Sequence, residues 1–140
     1  MRQPIDVLAS YLHLARAAKA RRQPLVRDRV LLLAGVIAAQ IDLAPIAAAC
    51  RDAILAHNPR HLVCRWKTIA AALMQEDFQS LVNQLSTRYG PERVEQLVQQ
   101  LEMADSERRT DYASDGEFAA ALLELDWEDL QRRFESESDG

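Results

Sequence analysis

From Val30 to Ala56 the chain reads VLLLAGVIAAQIDLAPIAAACRDAILA: two apolar blocks, Val30–Ala39 and Ala44–Cys50, around a polar break at Gln40-Ile41-Asp42. Such a stretch has to be buried, and the rest of the chain becomes its cover. Asp42 followed by Pro45 reads as a helix start, with Asp42 or Leu43 at the cap and Pro45 in the first turn, where its missing N–H costs nothing. The spacing predicts two antiparallel helices, about 24–40 and 44–57, joined by a short turn. A membrane span is disfavoured, because Asp42 in mid-bilayer would cost roughly 2.5–3.5 kcal/mol and Pro45 follows close behind. Ala34, Gly35, Ala38 and Ala39 on one helix, with Ala47, Ala48 and Ala53 on the other, allow close approach of the axes. Gly35 costs up to about 1 kcal/mol against alanine inside a helix, so it is predicted at a contact close enough to offset that.

On either side of this hairpin the apolar positions recur at helical spacing. Pro4 opens a first helix over roughly 4–22, with Ile5, Leu8, Leu12 and Ala15 on one face and Val7, Tyr11 and Leu14 widening it. Pro24 starts the second helix after a break of one or two residues. Asn58-Pro59 ends the third helix, since a residue before proline avoids the helical region. Residues 62–67 form a connector with Trp66 as a lid on the core, and Thr68 caps a short helix from Ile69 to Met74. Phe78, Leu81, Val82, Leu85 and Tyr89 make a stripe that runs to Gly90, the expected left-handed terminator. Pro91 and Glu92 start another helix, whose apolar face is Val94, Leu97, Val98 and Leu101, ending near Met103. Asp105 to Gly116 reads as a polar linker. Phe118, Leu122, Leu123, Leu125, Trp127, Leu130 and Phe134 then form an amphipathic acidic segment, with Asp126 able to cap a second short helix. Residues 136–140 are expected to be disordered.

The pair ending Ile54-Leu55-Ala56-His57-Asn58-Pro59, with Gly35, Ala47 and Pro59 at the expected offsets, resembles one unit of the tetratricopeptide repeat over about a quarter of the chain. Ala34 and Ala38 stand where that repeat has larger residues, Arg51 stands where it has an aromatic, and neither residues 1–27 nor 62–95 repeat the pattern. Only the generic geometry is taken from it, an αα-hairpin packed in series with others.

Composition narrows the possibilities. A chain of 140 residues is long enough for one proper core. It has four glycines, none clustered as phosphate-cradling loops require, and no period-two run rich in β-branched residues that would mark a strand. Two cysteines cannot build a disulfide framework. No signal peptide opens the chain, and a cytoplasmic setting is expected. Charge is unevenly spread: residues 1–67 carry eleven Lys and Arg against four Asp and Glu, a net +7, whereas residues 102–140 carry four against thirteen, a net −9. A basic front and an acidic back can attract one another within one molecule or between two.

Candidate chemistry is sparse. Arg16, Lys19, Arg21, Arg22, Arg27 and Arg29 crowd the junction of the first two helices and form the best candidate binding patch. Cys50, His57, His61 and Cys64 follow a Cys-x6-His-x3-His-x2-Cys spacing, a weak zinc candidate without a Cys-x-x-Cys knuckle. Cys50 is also needed by the core, and the histidines are expected to cap a helix end and face solvent. His13 is expected at a helix boundary. The pair 77–89 and 91–103 has the outline of a helix-turn-helix, but its second helix presents Glu92, Glu95, Gln96, Gln99, Gln100 and Glu102 with Arg93 alone basic, which phosphate contact does not favour. No nucleophile–base or paired-carboxylate motif is present, so neither an enzyme nor a cofactor is expected.

The sequence therefore predicts an all-α bundle of about six to eight helices, with a core over 1–104, a linker over 105–117 and the amphipathic segment over 118–135. The first expectation for function is a protein–protein interaction or assembly module, meeting a partner or a second copy through Phe118, Leu122, Trp127, Leu130 and Phe134. The alternative is nucleic-acid binding by the basic front with the acidic tail as competitor.

Overall fold

The structure, a computed structural model, describes residues 3–100 and 109–139. Among these it has eight α-helices and no strand: α1 (Pro4–Ala20), α2 (Pro24–Gln40), α3 (Ala44–His57), α4 (Ile69–Ala72), α5 (Glu76–Arg88), α6 (Pro91–Gln100), α7 (Asp115–Leu122) and α8 (Trp127–Asp139). Short 3-10 turns lie at Leu62–Arg65 and Arg109–Asp111. No helix among the described residues is long and apolar enough to cross a membrane.

Helix α2 is central because from Val30 to Ala39 it is apolar on every side, the signature of an enclosed helix. Helices α1, α3, α4 and α5 all pack on it, and Val30, Leu32, Ala34 and Ala38 are completely buried. Gly35 sits at the predicted contact: a Cβ there would run into Ile69 Cδ1 of α4 and lie 3.3 Å from Cys50 Cβ of α3. Helix α6 packs on α1 through the fully buried Val94. The Tyr11 hydroxyl donates to the Tyr89 carbonyl at 2.6 Å, which fixes the end of α5 against α1. Trp66 covers the core as expected, meeting Phe78 edge-on at 5.6 Å, while Arg51 Nε donates to the Trp66 carbonyl.

Helix ends follow local chemistry. The Thr68 hydroxyl accepts from the Ala71 amide, the Ser114 hydroxyl from Glu117, and the Asp126 carboxylate from Asp129. Leu43, rather than Asp42, is the N-cap of α3. Gly90 corrects an expectation: no described glycine has positive φ. Instead α5 closes at Tyr89, whose carbonyl is held by Tyr11, and Gly90 precedes Pro91, a position biased towards extended backbone. The left-handed corners are taken by Arg22 (φ 56°), Asp42 (φ 61°) and Glu124 (φ 62°). Each stands two residues past a helix. The next amide reaches back to the third-last helical carbonyl: Gln23 to Ala18, Leu43 to Ala38 and Leu125 to Ala120. This is the Schellman arrangement without its usual glycine.

The acidic C-terminal segment rests on its own body: α7 packs on α1 and α3, and α8 packs on α3. Phe118, Leu122 and Leu130 are buried, and a Cβ on Gly116 would overlap the Trp127 ring. The boundaries differ from the expected ones. Helix α7 begins at Asp115, inside the stretch expected as linker, because Ser114 caps it and Gly116 is needed beneath Trp127. Helix α8 runs to Asp139, since nothing in Glu135-Ser136-Glu137-Ser138-Asp139 stops a helix already capped by Asp126. The expected end of α6 near Met103 and the first part of the linker lie outside the described residues.

Candidate interaction cleft

The turn between α1 and α2 is only three residues long, so the cation-rich last turns of α1 and first turn of α2 are forced to one end of the molecule. Beside that end the body and the C-terminal segment enclose a cleft of about 290 Å³. Its floor is apolar: Leu12 and Ala15 from α1, Leu31 from α2, Ala49 and Ala53 from α3 and Leu122 from α7. Leu123 and Leu125 complete one wall, and Leu125 remains 40% exposed. Arg16, Lys19, Arg27 and Arg133 stand around the opening, against Asp52 and Glu124. Arg16 Nε lies 3.3 Å from Glu124 Oε1, so the first basic residue of the rim already holds an acid from the chain's own tail.

A second cavity, of about 330 Å³, adjoins the first and shares Lys19, Arg27 and Ala53 with it. Arg22, Gln23, Pro24, Ala56 and His57 complete its lining. Beneath it lies Asp28, only 5% exposed, whose Oδ2 accepts from His57 Nδ1 at 2.8 Å. Arg27 Nη1 is 3.7 Å from the other carboxylate oxygen. A buried carboxylate needs such partners, because an unpaired one costs several kcal/mol of desolvation.

The six predicted cations thus divide. Arg16 lines the first cleft, Arg22 the second, and Lys19 and Arg27 both; Arg21 and Arg29 line neither. Of the five predicted C-terminal interaction residues, Phe118, Leu122 and Leu130 are spent on cis docking, while Trp127 and Phe134 are half-buried. His13 is buried in the middle of α1, not at a helix boundary, because it shares that helix's inward face.

The zinc candidates are not brought together. Cys50 is fully buried against α2, where burial pushes its thiol up to about 12, whereas Cys64 is exposed. His61 Nδ1 accepts from the Val63 amide at 3.1 Å, and burial lowers its pKa against the opposing charge of Asp28. His61 thus caps the Leu62–Arg65 turn as expected, and His57 is exposed as expected but also reaches the buried Asp28 carboxylate through Nδ1. Among the described residues no group of three or more His, Cys, Asp or Glu is placed to hold a metal ion.

No family model, curated protein or solved structure matches this chain.

Sequence reasoning missed Asp28 and Arg133. Asp28 carried a readable signal: it is the only acid between Val26 and Gln40, and at helical spacing it shares a face with Leu31, Leu32 and Gly35. An acid on an apolar face has to find a partner inside. Arg133 gave no such signal, since its place in the cleft depends on how α8 folds back.

Proposed function

We propose that this protein is a helical protein–protein interaction module whose cleft takes an acidic amphipathic helix of a partner. The observation that carries the reading is the pairing of an apolar floor with four rim cations against two acids. An amphipathic helix lays apolar anchors at i, i+3, i+4 and i+7 into such a floor, while its acidic flank meets the rim. The Arg16–Glu124 pair supplies a precedent within the chain, an acidic segment seated against the same wall. Single exposed ion pairs contribute only about 0–1 kcal/mol. Affinity therefore comes from apolar burial, and the rim charges steer and orient the partner. A cytoplasmic setting, which keeps thiols reduced, suits the free Cys50 and Cys64.

The test is photo-crosslinking from position 125 of the full chain in its own cells. The expected result is a crosslinked species that is lost when Lys19 and Arg27 are reversed to glutamate, and that survives Lys67→Glu. The attachment point should fall in an acidic amphipathic helix, of another protein or of a second copy. Crosslinks indifferent to reversal of Lys19 and Arg27 would overturn the reading.

A further inference from the structure

The second cavity carries a more specific chemistry than its neighbour. Three of its eight lining residues, Lys19, Arg22 and Arg27, are permanent cations and none is an acid. Lys19 and Arg22 have no ion-pair partner among the described residues, and Arg27 has only the 3.7 Å approach to Asp28. His57 is the one lining side chain whose orientation is fixed from below. The Asp28 carboxylate is an obligatory acceptor, so His57 Nδ1 carries the proton of the 2.8 Å bond. Nε2 is left as the ring's uncommitted polar atom, and the His57 side chain is 40% exposed. This is how proteins hold an imidazole that must meet a ligand: one nitrogen anchored by a buried carboxylate, the other free.

We propose that this cavity binds a phosphate group, either the free ion or a small phosphomonoester. Lys19, Arg22 and Arg27 supply the charge, and His57 directs one hydrogen bond at Nε2, accepting from a P–OH when the ring is neutral and donating to a phosphate oxygen when it is protonated. Counting Asp28 beneath, the three cations leave a net +2 apart from His57, which a phosphate dianion matches. A tetrahedral oxyanion also offers several oxygens to donors arriving from different elements, α1, its turn, α2 and α3, as a planar carboxylate does not. The start of α2 adds to this without carrying it. Gln23 gives no side-chain cap, and the Leu25 and Val26 amides have no intrahelical acceptor.

The experiment is an NMR titration of the full chain with inorganic phosphate, blanked with sodium chloride at matched ionic strength. Saturable shifts are expected at the His57 ring and at the Leu25 and Val26 amides. Arg22→Gln should weaken binding about tenfold, the scale of one charge-assisted hydrogen bond, whereas Arg29→Gln, which lines neither cavity, should leave it unchanged. Arg22 is exposed and Arg29 half-buried, and the ligand-free spectrum reports that each variant is folded. Glycerol phosphate and AMP form the second arm: tighter binding than phosphate assigns a monoester as the ligand, and equal or weaker binding assigns the free ion. Shifts that chloride reproduces, that fail to saturate, or that Arg22→Gln and Arg29→Gln affect alike would overturn the proposal. Arg22 and His57 line only this cavity, so the outcome stands apart from that of the crosslinking at position 125.

Discussion

Alanine at Gly35 sets helix propensity against packing, and the neighbours decide the sign. Alanine is favoured over glycine in a helix interior by about 1 kcal/mol. The new methyl, however, would collide with Ile69 Cδ1 and lie 3.3 Å from Cys50 Cβ. Ile69 is 1% exposed, and its short helix is held by the Thr68 cap, so the side chain has little room to yield. Overpacking of this kind costs about 1–3 kcal/mol. Gly35→Ala is therefore expected to destabilise by about 1 kcal/mol net, within a range of roughly 0–2. Ile69→Val removes the colliding atom at its own cost of about 0.5–1.5 kcal/mol. In that background Gly35→Ala should turn stabilising, which makes a coupling energy of about 1–3 kcal/mol between the two sites. Urea unfolding followed by circular dichroism on the four proteins measures it. A coupling below about 0.5 kcal/mol, or a Gly35→Ala variant that gains its full propensity alone, would refute the packing assigned to this contact.

Removal of residues 114–140 strips Phe118, Leu122 and Leu130 from the body. Each contributes roughly 1.5–3 kcal/mol of burial, so dye binding or self-association should rise and the unfolding midpoint should fall. An unchanged oligomeric state, midpoint and dye response would contradict the cis docking. Burial lowers the pKa of His61, with Asp28 opposing, so the unfolded chain takes up that proton more readily than the folded one. Stability from this group is present above about pH 6.5 and is lost as pH falls through the lowered folded value. His61→Asn keeps an acceptor for the Val63 amide and should flatten the acid limb of the urea midpoint between about pH 7 and 5.5; an unaltered slope would refute it. A thiol reagent should label Cys64 alone in the native chain and reach Cys50 only on unfolding, because Cys50 is buried and held protonated; rapid native labelling of both would count against the α2–α3 contact.

The helical framework was legible because it is written in local patterns. Pro4, Pro24 and Pro45 mark three helix starts, and Asn58-Pro59 marks an end, to within two residues of where the helices lie. The Thr68 and Asp126 caps were legible for the same reason. The left-handed corners were not, since a turn set by Arg22 or Glu124 shows no glycine to announce it. The candidate site was half legible. Clustered cations revealed Arg16, Lys19, Arg22 and Arg27, but charge alone could not separate them from Arg21 and Arg29, which differ only in the direction they face around a helix end. The pairing of Asp28 with His57 joins residues 29 apart and exists only once α2 and α3 have packed.

Two of the three left-handed corners bear on the clefts themselves. Arg22 lines the second cavity and Glu124 the first, and each holds a backbone shape that glycine would adopt more easily by about 1 kcal/mol. Glycine at either place would relax the corner and erase a charge from the opening. Thermal hardening and recognition therefore compete for the same two positions. A hardier version of this molecule can take its first gain at Asp42, whose corner borders neither cavity.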